Sequence, residues 1–164
     1  MEKKFSGKIW KFGNDIDTDT IIPGKRGTIP DRNAMKKYAF ELLKPEFGST
    51  VQPGDILVAG TNFGCGSSRE QAATVLSYNG VRCIIAKSFA RIFFRNSINN
   101  GLLLIEQPTL YDDIKEGDTI SVVMNEHVDY NGKTYPIAAL PENLMDIIRA
   151  GGLVKAMRKL NGLD

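Results

Sequence analysis

The chain has 164 residues, of which 42% are hydrophobic and 24% charged, and this ordinary globular usage excludes a mainly disordered protein. Its 21 lysine and arginine residues nearly balance 19 aspartate and glutamate residues, for a net charge of +2, and the basic residues are scattered, so a nucleic-acid partner is not expected. No window contains the roughly 18 apolar residues of a membrane span, and residues 1–7 lack the apolar core of a signal peptide. We expect a single domain over residues 1–164, located in the cytoplasm and without membrane contact.

The two cysteines, Cys65 and Cys83, limit the metal and redox chemistry of the chain. They are too few for a disulfide framework, for a four-cysteine metal site, or for an iron–sulfur cluster held by this chain alone. We therefore expect no metal site in the chain. We also expect both thiols to be reduced, as is typical of a cytoplasmic protein.

The first third of the chain combines short apolar segments with a long irregular stretch. Residues 8–12 alternate as in a short strand that ends at residues 13–15. Residues 15–31 are acidic and then punctuated by glycine and proline, which predicts a long loop of the kind that often carries function. We expect a helix from Arg32 to Leu43, before Pro45, with an apolar face at Ala34, Met35, Tyr38 and Leu42.

The middle of the chain is predicted to alternate between strands and helices. Continuous apolar runs predict three buried strands, over residues 55–60, 81–86 and 102–105. Helices are predicted between them, over residues 70–78 and 88–100, and each is followed by an Asn-Gly stop signal. The apolar face of the second helix is expected at Phe89, Ile92, Phe93 and Ile98. This order with short connections predicts a parallel sheet with right-handed crossovers.

The last third changes character. Residues 119–124 and 133–137 are predicted strands joined through residues 129–132, where Asn131-Gly132 is a strong hairpin signal. A last helix opens at Pro141, with apolar positions at Leu144, Ile147, Ile148, Val154 and Met157. The expected fold class is therefore α/β, a single domain with a mainly parallel central sheet, flanking helices and additional antiparallel strands.

The segment Asn62–Glu70 follows a predicted buried strand and opens a predicted helix, which is where α/β folds bind ligands. Its two glycines permit a tight turn and a close approach of the backbone to a ligand. Exposed amides at a helix start attract anions, and the fork of Arg69 suits a carboxylate or a phosphate. The pattern predicts an anion site that also contains the hydroxyls of Ser67 and Ser68.

Three familiar motifs do not fit this segment. The dinucleotide fingerprint requires a glycine where Arg69 stands, the phosphate loop of nucleotide triphosphatases requires a lysine before Ser67, and the hydrolase elbow requires a glycine at Glu70. The single histidine, His127, lies in the predicted hairpin region, so a serine–histidine pair is not expected. We expect His127 to be structural or exposed.

A serine without a histidine acts as a base only if its alkoxide is stabilised locally, and backbone amides and a guanidinium supply such stabilisation. The Ser67 alkoxide is then able to remove a proton from a carbon beside a carboxylate that Arg69 holds. The alternative is that Ser67 caps the following helix and Arg69 is a surface ion-pair residue.

The acidic stretch Asn14–Pro23 is a second constellation. Its aspartates at positions 15, 17 and 19 suggest calcium, but the glycine and the distal glutamate of a calcium loop are missing. One interpretation is a solvated loop. The other is that one of these carboxylates holds Arg69 in place.

Three segments in this order resemble the small subunits of 3-isopropylmalate dehydratases and the swivelling domain of aconitases. They are Phe12–Gly24, Asn62–Glu70 and Ala86–Gly101. Each segment alone is unspecific, whereas together they are highly specific, and the likeness covers nearly the whole chain.

The resemblance implies a hydro-lyase that interconverts 2-isopropylmalate and 3-isopropylmalate in leucine biosynthesis. It implies activity only with a large subunit, in a heterodimer or heterotetramer, and a [4Fe-4S] cluster that the large subunit and not this chain holds, one iron acting as Lewis acid on the leaving hydroxyl. By matching position, Ser67 is the base that removes the carbon-bound proton. Ser68 and Arg69 bind a substrate carboxylate, and Asp19 orients the basic group.

The loop that follows Gly24 departs from the family pattern. Isopropylmalate-specific members usually carry an arginine, then Tyr-Leu and further apolar residues, which pack on the isopropyl group. Here Lys25, Arg26 and Thr28 occupy this loop, and we expect them to bind substrate. Arg26 favours a tricarboxylate or another malate derivative, as in a homoaconitase or a citraconate (methylmalate) or dimethylmalate dehydratase. Alternatively, both basic residues face solvent or the large subunit.

A hypothesis from another class is a non-catalytic anion-binding domain. The Gly-Ser-Ser-Arg segment serves such a domain equally well, but the acidic loop and the Ala86–Gly101 segment then need separate explanations.

Overall fold

The computed structural model describes residues 3–163. Residues 1, 2 and 164 lie outside the described residues. The expected absence of a signal core concerns residues 1 and 2 in part, and the predicted domain ends at residue 164. Within residues 3–163, no helix has the length and apolar character that a membrane crossing requires.

One continuous seven-stranded sheet forms the centre of the molecule, in the order β4-β3-β2-β1-β5-β6-β7. Strands β1 to β4 are mutually parallel, whereas β5 to β7 form an antiparallel extension on the other side of β1. The strands are β1 Lys4–Lys11, β2 Ile56–Ala59, β3 Cys83–Ala86, β4 Leu103–Glu106, β5 Thr119–Val123, β6 His127–Tyr130 and β7 Lys133–Pro136. The predicted fold class, a mainly parallel α/β sheet with added antiparallel strands, is confirmed.

The helices are short and connect the strands. They are α1 Thr18–Ile21, α2 Arg32–Met35, α3 Phe47–Thr50, α4 Gln71–Tyr78, α5 Arg91–Asn99, α6 Leu110–Asp113, α7 Glu142–Ala150 and α8 Leu153–Leu160, with a 3-10 turn at Lys36–Tyr38. Strands β2 and β3 are buried on both faces, so their side chains divide between two apolar layers. In β2, Leu57 and Ala59 pack into the layer that includes α4, whereas Ile56 and Val58 pack into the layer that includes α7.

The predicted helix over residues 32–43 is wrong beyond its first turns. The α-helix ends at Met35 and the 3-10 turn at Tyr38, and Leu42 is 75% exposed. The cause is the next aromatic residue: Phe40 adopts φ +55°, donates its N–H to the Ile21 carbonyl at 2.8 Å and stacks on Phe12 at 4.2 Å between ring centres. Burial of this ring outweighs continuation of the helix.

The C-terminal third also differs from the prediction. A strand that the pattern missed, β6, lies between the two predicted strands, and the Asn131-Gly132 turn joins β6 to β7. Both turn residues have positive φ, as a two-residue hairpin requires. The predicted last helix is split into α7 and α8 at Gly151 and Gly152, whose φ angles are +90° and +131°.

Several predicted apolar faces are partly exposed. Ile92 on α5 is 51% exposed, and Val154 and Met157 on α8 are 72% and 55% exposed. Phe93 and Ile98 are buried as predicted. The predicted core positions are therefore correct for Phe93 and Ile98 of α5, and wrong for Ile92 of α5 and for Val154 and Met157 of α8.

Candidate active site

Two loops run side by side where β1 and β2 end. Gly64 donates its N–H to the Ile16 carbonyl at 2.7 Å, and Thr18 donates its N–H to the Cys65 carbonyl at 2.8 Å. These bonds form a short parallel bridge between Asp17 and Cys65. The acidic loop and the Gly-Ser loop, predicted separately from the sequence, are thereby brought into one site at the carboxyl end of the parallel strands, where this fold class places ligands.

The two glycines of the Asn62–Glu70 segment have the conformational role predicted for them. Gly64 and Gly66 adopt φ +85° and +97°, a backbone region that residues other than glycine rarely occupy. A Cβ at Gly64 would also lie 2.1 Å from the Phe93 ring. The tight turn therefore depends on glycine both for its backbone angles and for its packing against α5.

Ser67 is exposed and its hydroxyl has two polar neighbours. Arg69 Nε donates to Ser67 Oγ at 2.9 Å, and Thr18 Oγ1 lies 3.1 Å from the same oxygen. Thr18 Oγ1 also donates to the Ser67 carbonyl at 3.2 Å. When Ser67 is neutral, either hydroxyl is able to donate to the other, and when Ser67 is deprotonated only the Thr18 hydroxyl is able to donate to Oγ. Both neighbours then stabilise the alkoxide.

The helix-capping interpretation of Ser67 is wrong. Helix α4 begins at Gln71 with Glu70 as its cap residue, so Ser67 lies three residues before the cap. The prediction that Ser67 faces amides of the helix start is wrong for the same reason. In place of those amides, the guanidinium of Arg69 and the hydroxyl of Thr18 surround the serine oxygen.

Arg69 is fixed on two sides. Its Nη2 donates to Asp19 Oδ1, which forms an ion pair across the two loops. Gly24 lies against the same guanidinium, because a Cβ at Gly24 would stand 2.7 Å from Arg69 Nη1 and 3.9 Å from Asp19 Oδ1. The hypothesis that a carboxylate of the acidic loop holds Arg69 therefore agrees with this structure, and the carboxylate is that of Asp19.

Ser68 is exposed beside Ser67, and its carbonyl accepts a hydrogen bond from Asn96 Nδ2 at 3.3 Å. Helix α5 thus contacts the Gly-Ser loop directly. Asn100 extends this contact, since its Nδ2 lies 3.4 Å from Glu70 Oε1 and its Oδ1 accepts from Thr74 Oγ1 at 3.2 Å.

The loop after Gly24 borders the site but its arginine is engaged elsewhere. Arg26 donates through Nε to Glu41 Oε1 at 3.1 Å, and its guanidinium lies 3.9 Å from the centre of the Tyr38 ring. Thr28 is exposed and donates its hydroxyl to the Lys25 carbonyl at 2.9 Å. Lys25 is exposed, and no described residue pairs with its ammonium group. The structure thus brings together Ser67, Ser68, Arg69, Asp19 and the loop, but leaves Arg26 paired with Glu41.

Neither cysteine belongs to a cluster of metal ligands. Across residues 3–163, no three His, Cys, Asp or Glu side chains are grouped so that they are able to hold a metal ion. Cys83 is buried within β3, and burial raises the pKa of its thiol. Cys65 is half-buried, and burial, followed by the charges of Asp17 and Asp15, raises the pKa of its thiol. Residues 3–163 therefore do not present the set of cysteine thiolates that usually holds an iron–sulfur cluster.

His127 lies on β6 in the antiparallel half of the sheet. Its Nε2 is 3.3 Å from Asp129 Oδ2 on the same strand, and its side chain is 30% exposed. This location agrees with the expectation of a structural or exposed histidine.

Two neighbours of the site, Thr18 and Asn96, were not singled out from the sequence. Thr18 lies in the segment Phe12–Gly24 and Asn96 in the segment Ala86–Gly101. Membership of these family-like segments was the only sequence signal that could have identified them as neighbours of the site. The side chain of neither residue is chemically distinctive, and only the fold places them against Ser67 and Ser68.

One family model and several known proteins match most of this chain. The model of the aconitase C-terminal domain family matches residues 4–110. The 3-isopropylmalate dehydratase small subunit of Lachnospira eligens is 63% identical over 164 residues, covering 100% of both chains. That of Heliobacterium modesticaldum is 48% identical over 158 residues, covering 94% of this chain and 95% of the relative.

A solved structure shows the same fold. The crystal structure of 3-isopropylmalate dehydratase (leuD) from Methanocaldococcus jannaschii superposes with a TM-score of 0.90 at 40% identity, covering 96% of this chain and 95% of that one. The family model, the relatives and the solved structure agree, and the chain therefore belongs to the 3-isopropylmalate dehydratase small-subunit family, within the aconitase C-terminal domain family.

Proposed function

We propose that this chain is the small subunit of a heteromeric hydro-lyase that interconverts 2-isopropylmalate and 3-isopropylmalate, with isopropylmaleate as the dehydrated intermediate. The observation that carries the proposal is the Ser67 hydroxyl, exposed at the carboxyl end of the sheet and bonded to the Arg69 guanidinium. The names of relatives that match the full chain supply the reaction class.

In the proposed mechanism, Ser67 Oγ accepts the proton from the substrate carbon that lies next to the carbon bearing the hydroxyl. The pair of electrons from the broken C–H bond forms the double bond as hydroxide leaves, and return of water to the other carbon completes the isomerisation. Arg69 and Thr18 lower the free energy of the deprotonated serine by donating hydrogen bonds to its oxygen. Asp19 acts through Arg69 by fixing the orientation of the guanidinium.

Substrate carboxylates need cations or donors at the same edge. We assign one carboxylate to Ser68 and to the guanidinium of Arg69. Lys25 is the candidate cation for the second, because its ammonium group is exposed and no described residue neutralises it. Thr28 supports this loop through its bond to the Lys25 carbonyl and stays a candidate contact.

The pairing of Arg26 favours an apolar substituent on the substrate. Its guanidinium is already neutralised by Glu41 and covered by Tyr38. A third carboxylate, as in homoaconitate, would have to compete with Glu41 for this cation. We therefore rank isopropylmalate above tricarboxylates, and the names of the relatives favour it over citraconate (methylmalate) and dimethylmalate.

The [4Fe-4S] cluster that the family implies is proposed to belong to a large subunit, because the described part of this chain offers no ligand group for it. This chain supplies the proton acceptor and the cationic side chains that bind the substrate carboxylates. We propose that the site is complete only in the heteromer. The cytoplasm stays the proposed location, in agreement with two free cysteines.

The decisive experiment mixes the purified chain with its cluster-bearing large subunit and follows hydration of isopropylmaleate. We expect hydration only in the mixture, and a higher kcat/KM for isopropylmaleate than for citraconate, dimethylmaleate or homoaconitate. A preference for homoaconitate would transfer the function to the tricarboxylate class. No hydration of any unsaturated diacid by the assembled complex would favour the non-catalytic anion-binding domain.

A further inference from the structure

Helix α5 is attached to the loop that carries the candidate active site. Ala90, directly before the helix, donates its N–H to the Phe63 carbonyl at 2.9 Å, and Asn96 donates its side-chain amide to the Ser68 carbonyl at 3.3 Å. The first turns of α5 therefore lie at the rim of the site. Any protein that covers Ser67 approaches this helix as well.

The face of α5 opposite its buried side is positively charged and partly apolar. Arg91 and Arg95 are both exposed, and four-residue spacing places them on one side of the helix. Ile92, between them in sequence, is 51% exposed. The buried side of the helix consists instead of Phe93 and residues 97–98.

No acidic group in the described residues neutralises these arginines. The segment 88–100 contains no aspartate or glutamate, and no ion pair or hydrogen bond within residues 3–163 involves either guanidinium. Like charges four residues apart destabilise an isolated helix. The face thus carries an uncompensated charge that carboxylates of a partner would stabilise.

A second copy of this chain is a poor occupant. Two-fold pairing would place the same two arginines against themselves, and the resulting repulsion opposes association. A large subunit that closes over Ser67 meets the same rim from the side of the Gly-Ser loop. Continuity with the site therefore selects that subunit, and the two exposed arginines call for carboxylates on its facing surface.

We propose that the outward face of α5, formed by Arg91, Ile92 and Arg95, is a docking surface for the large subunit, whose carboxylates lie opposite the two arginines and whose apolar surface covers Ile92. This inference rests on the proposed function, because that function supplies the large subunit. It adds the surface and the charge of the partner to what the family resemblance implies.

The test measures the affinity of the purified large subunit for the full chain by isothermal titration calorimetry at low and at physiological salt. The variants are Arg91→Glu, Arg95→Glu and the double variant, with Arg91→Gln and Arg95→Gln as milder versions. A glutamate in the first turn suits the helix dipole, so Arg91→Glu is expected to keep the helix. Circular dichroism verifies the fold of each variant. Lys4→Glu is the matched control, since Lys4 is exposed at the amino end of β1, whereas the candidate site lies beyond the carboxyl end of that strand.

We expect each charge reversal to weaken association about tenfold or more and the double variant to weaken it further, with a smaller salt dependence than the unmodified chain. Lys4→Glu retains normal affinity. At saturating large subunit, kcat for isopropylmaleate hydration returns toward normal, because docking and not chemistry is impaired.

Equal affinity of the unmodified and charge-reversed chains would overturn this inference while leaving the proposed function intact. A dimer of the unmodified chain that Arg91→Glu dissociates would overturn it in favour of a second copy. Absence of any complex between the unmodified chain and the large subunit would overturn the proposed function itself, and the docking surface with it.

Discussion

Asp19 and Arg69, fifty residues apart in the sequence, form an ion pair at the meeting point of two loops. The same guanidinium donates through Nε to the Ser67 hydroxyl at 2.9 Å. A single arginine therefore connects the acidic loop to the proposed base. Because Arg69 is part of both contacts, a change at Asp19 reaches the serine oxygen without touching it.

Replacement of Asp19 by asparagine tests this connection. Asp19→Asn keeps the size of the side chain and one acceptor oxygen but removes its charge, so the guanidinium is held less firmly. We expect kcat of the assembled enzyme to fall by about 10²-fold, with a smaller change in affinity for the large subunit. Steady-state kinetics and calorimetric titration provide the two values. If kcat stays within threefold of normal, Asp19 does not position Arg69 for catalysis.

A methyl group at Gly24 tests the space around the same guanidinium. The Cβ of Gly24→Ala would stand 2.7 Å from Arg69 Nη1, and this flexible group is able to move at little cost in folding free energy. We therefore expect kcat/KM to fall about tenfold or more while the free energy of unfolding changes by less than about 0.5 kcal/mol.

Gly13→Ala is the control for Gly24→Ala, because a Cβ at Gly13 meets nothing within 4 Å. Urea denaturation and kinetics are compared for both variants. Equal kinetics in the two would show that displacement of the Arg69 guanidinium does not matter to turnover.

Substitution of Arg26 tests whether the substrate carries an apolar group or a third carboxylate. Since it is paired with Glu41 and stacked on Tyr38, we expect Arg26→Ala to lower the free energy of unfolding by about 1 kcal/mol while kcat/KM for isopropylmaleate changes less than threefold. Lys25→Ala, in contrast, raises KM. A loss of about 10²-fold in kcat/KM on Arg26→Ala would identify Arg26 as a carboxylate ligand.

The thiol of Cys65 reports on the acidic loop through its reaction with iodoacetamide. Burial first, and then the charges of Asp17 and Asp15, raise its pKa above the ordinary value of 9.0. At neutral pH the thiolate fraction is therefore smaller than in a free cysteine, and alkylation is slower and continues to accelerate as the pH rises beyond that ordinary value. Cys83 is fully buried and serves as the unreactive control in the folded protein.

Asp17→Asn removes one of the charges that raise the Cys65 pKa while keeping an acceptor for the Thr20 N–H, which Asp17 Oδ1 binds at 2.7 Å. Alkylation of Cys65 at fixed pH is expected to become faster. Reaction of the unmodified protein at the rate of a cysteine in an unstructured peptide would contradict the described environment of this thiol.

Strands β2, β3 and β4 were predictable because each follows an uninterrupted apolar run. A strand such as Ile56–Ala59 is buried on both faces, and its composition shows this directly. The short strand β6 was missed because its half-buried and buried positions alternate over only four residues. The helix after Arg32 was overestimated because burial of Phe40 depends on Phe12, which is distant in the sequence.

The candidate site shows a similar division. The glycines and the Ser67–Arg69 segment carry a local pattern, so they were found from the sequence. That Asp19 and not Asp15 or Asp17 meets Arg69 depends on how two loops pair, so the family resemblance, and not a local pattern, singled out Asp19. The partner of Arg26 was likewise invisible in the sequence, because Glu41 follows the break in the predicted helix.

Removal of one oxygen atom tests most directly whether Ser67 accepts the substrate proton. In the complex with the large subunit, Ser67→Ala is expected to retain normal subunit affinity and to lose isopropylmaleate hydration by about 10³-fold or more, the range that a positioned base contributes. Ser68→Ala, beside it in the same exposed loop, is expected mainly to raise KM. A Ser67→Ala complex that turns over within tenfold of the normal rate would show that another group removes the proton.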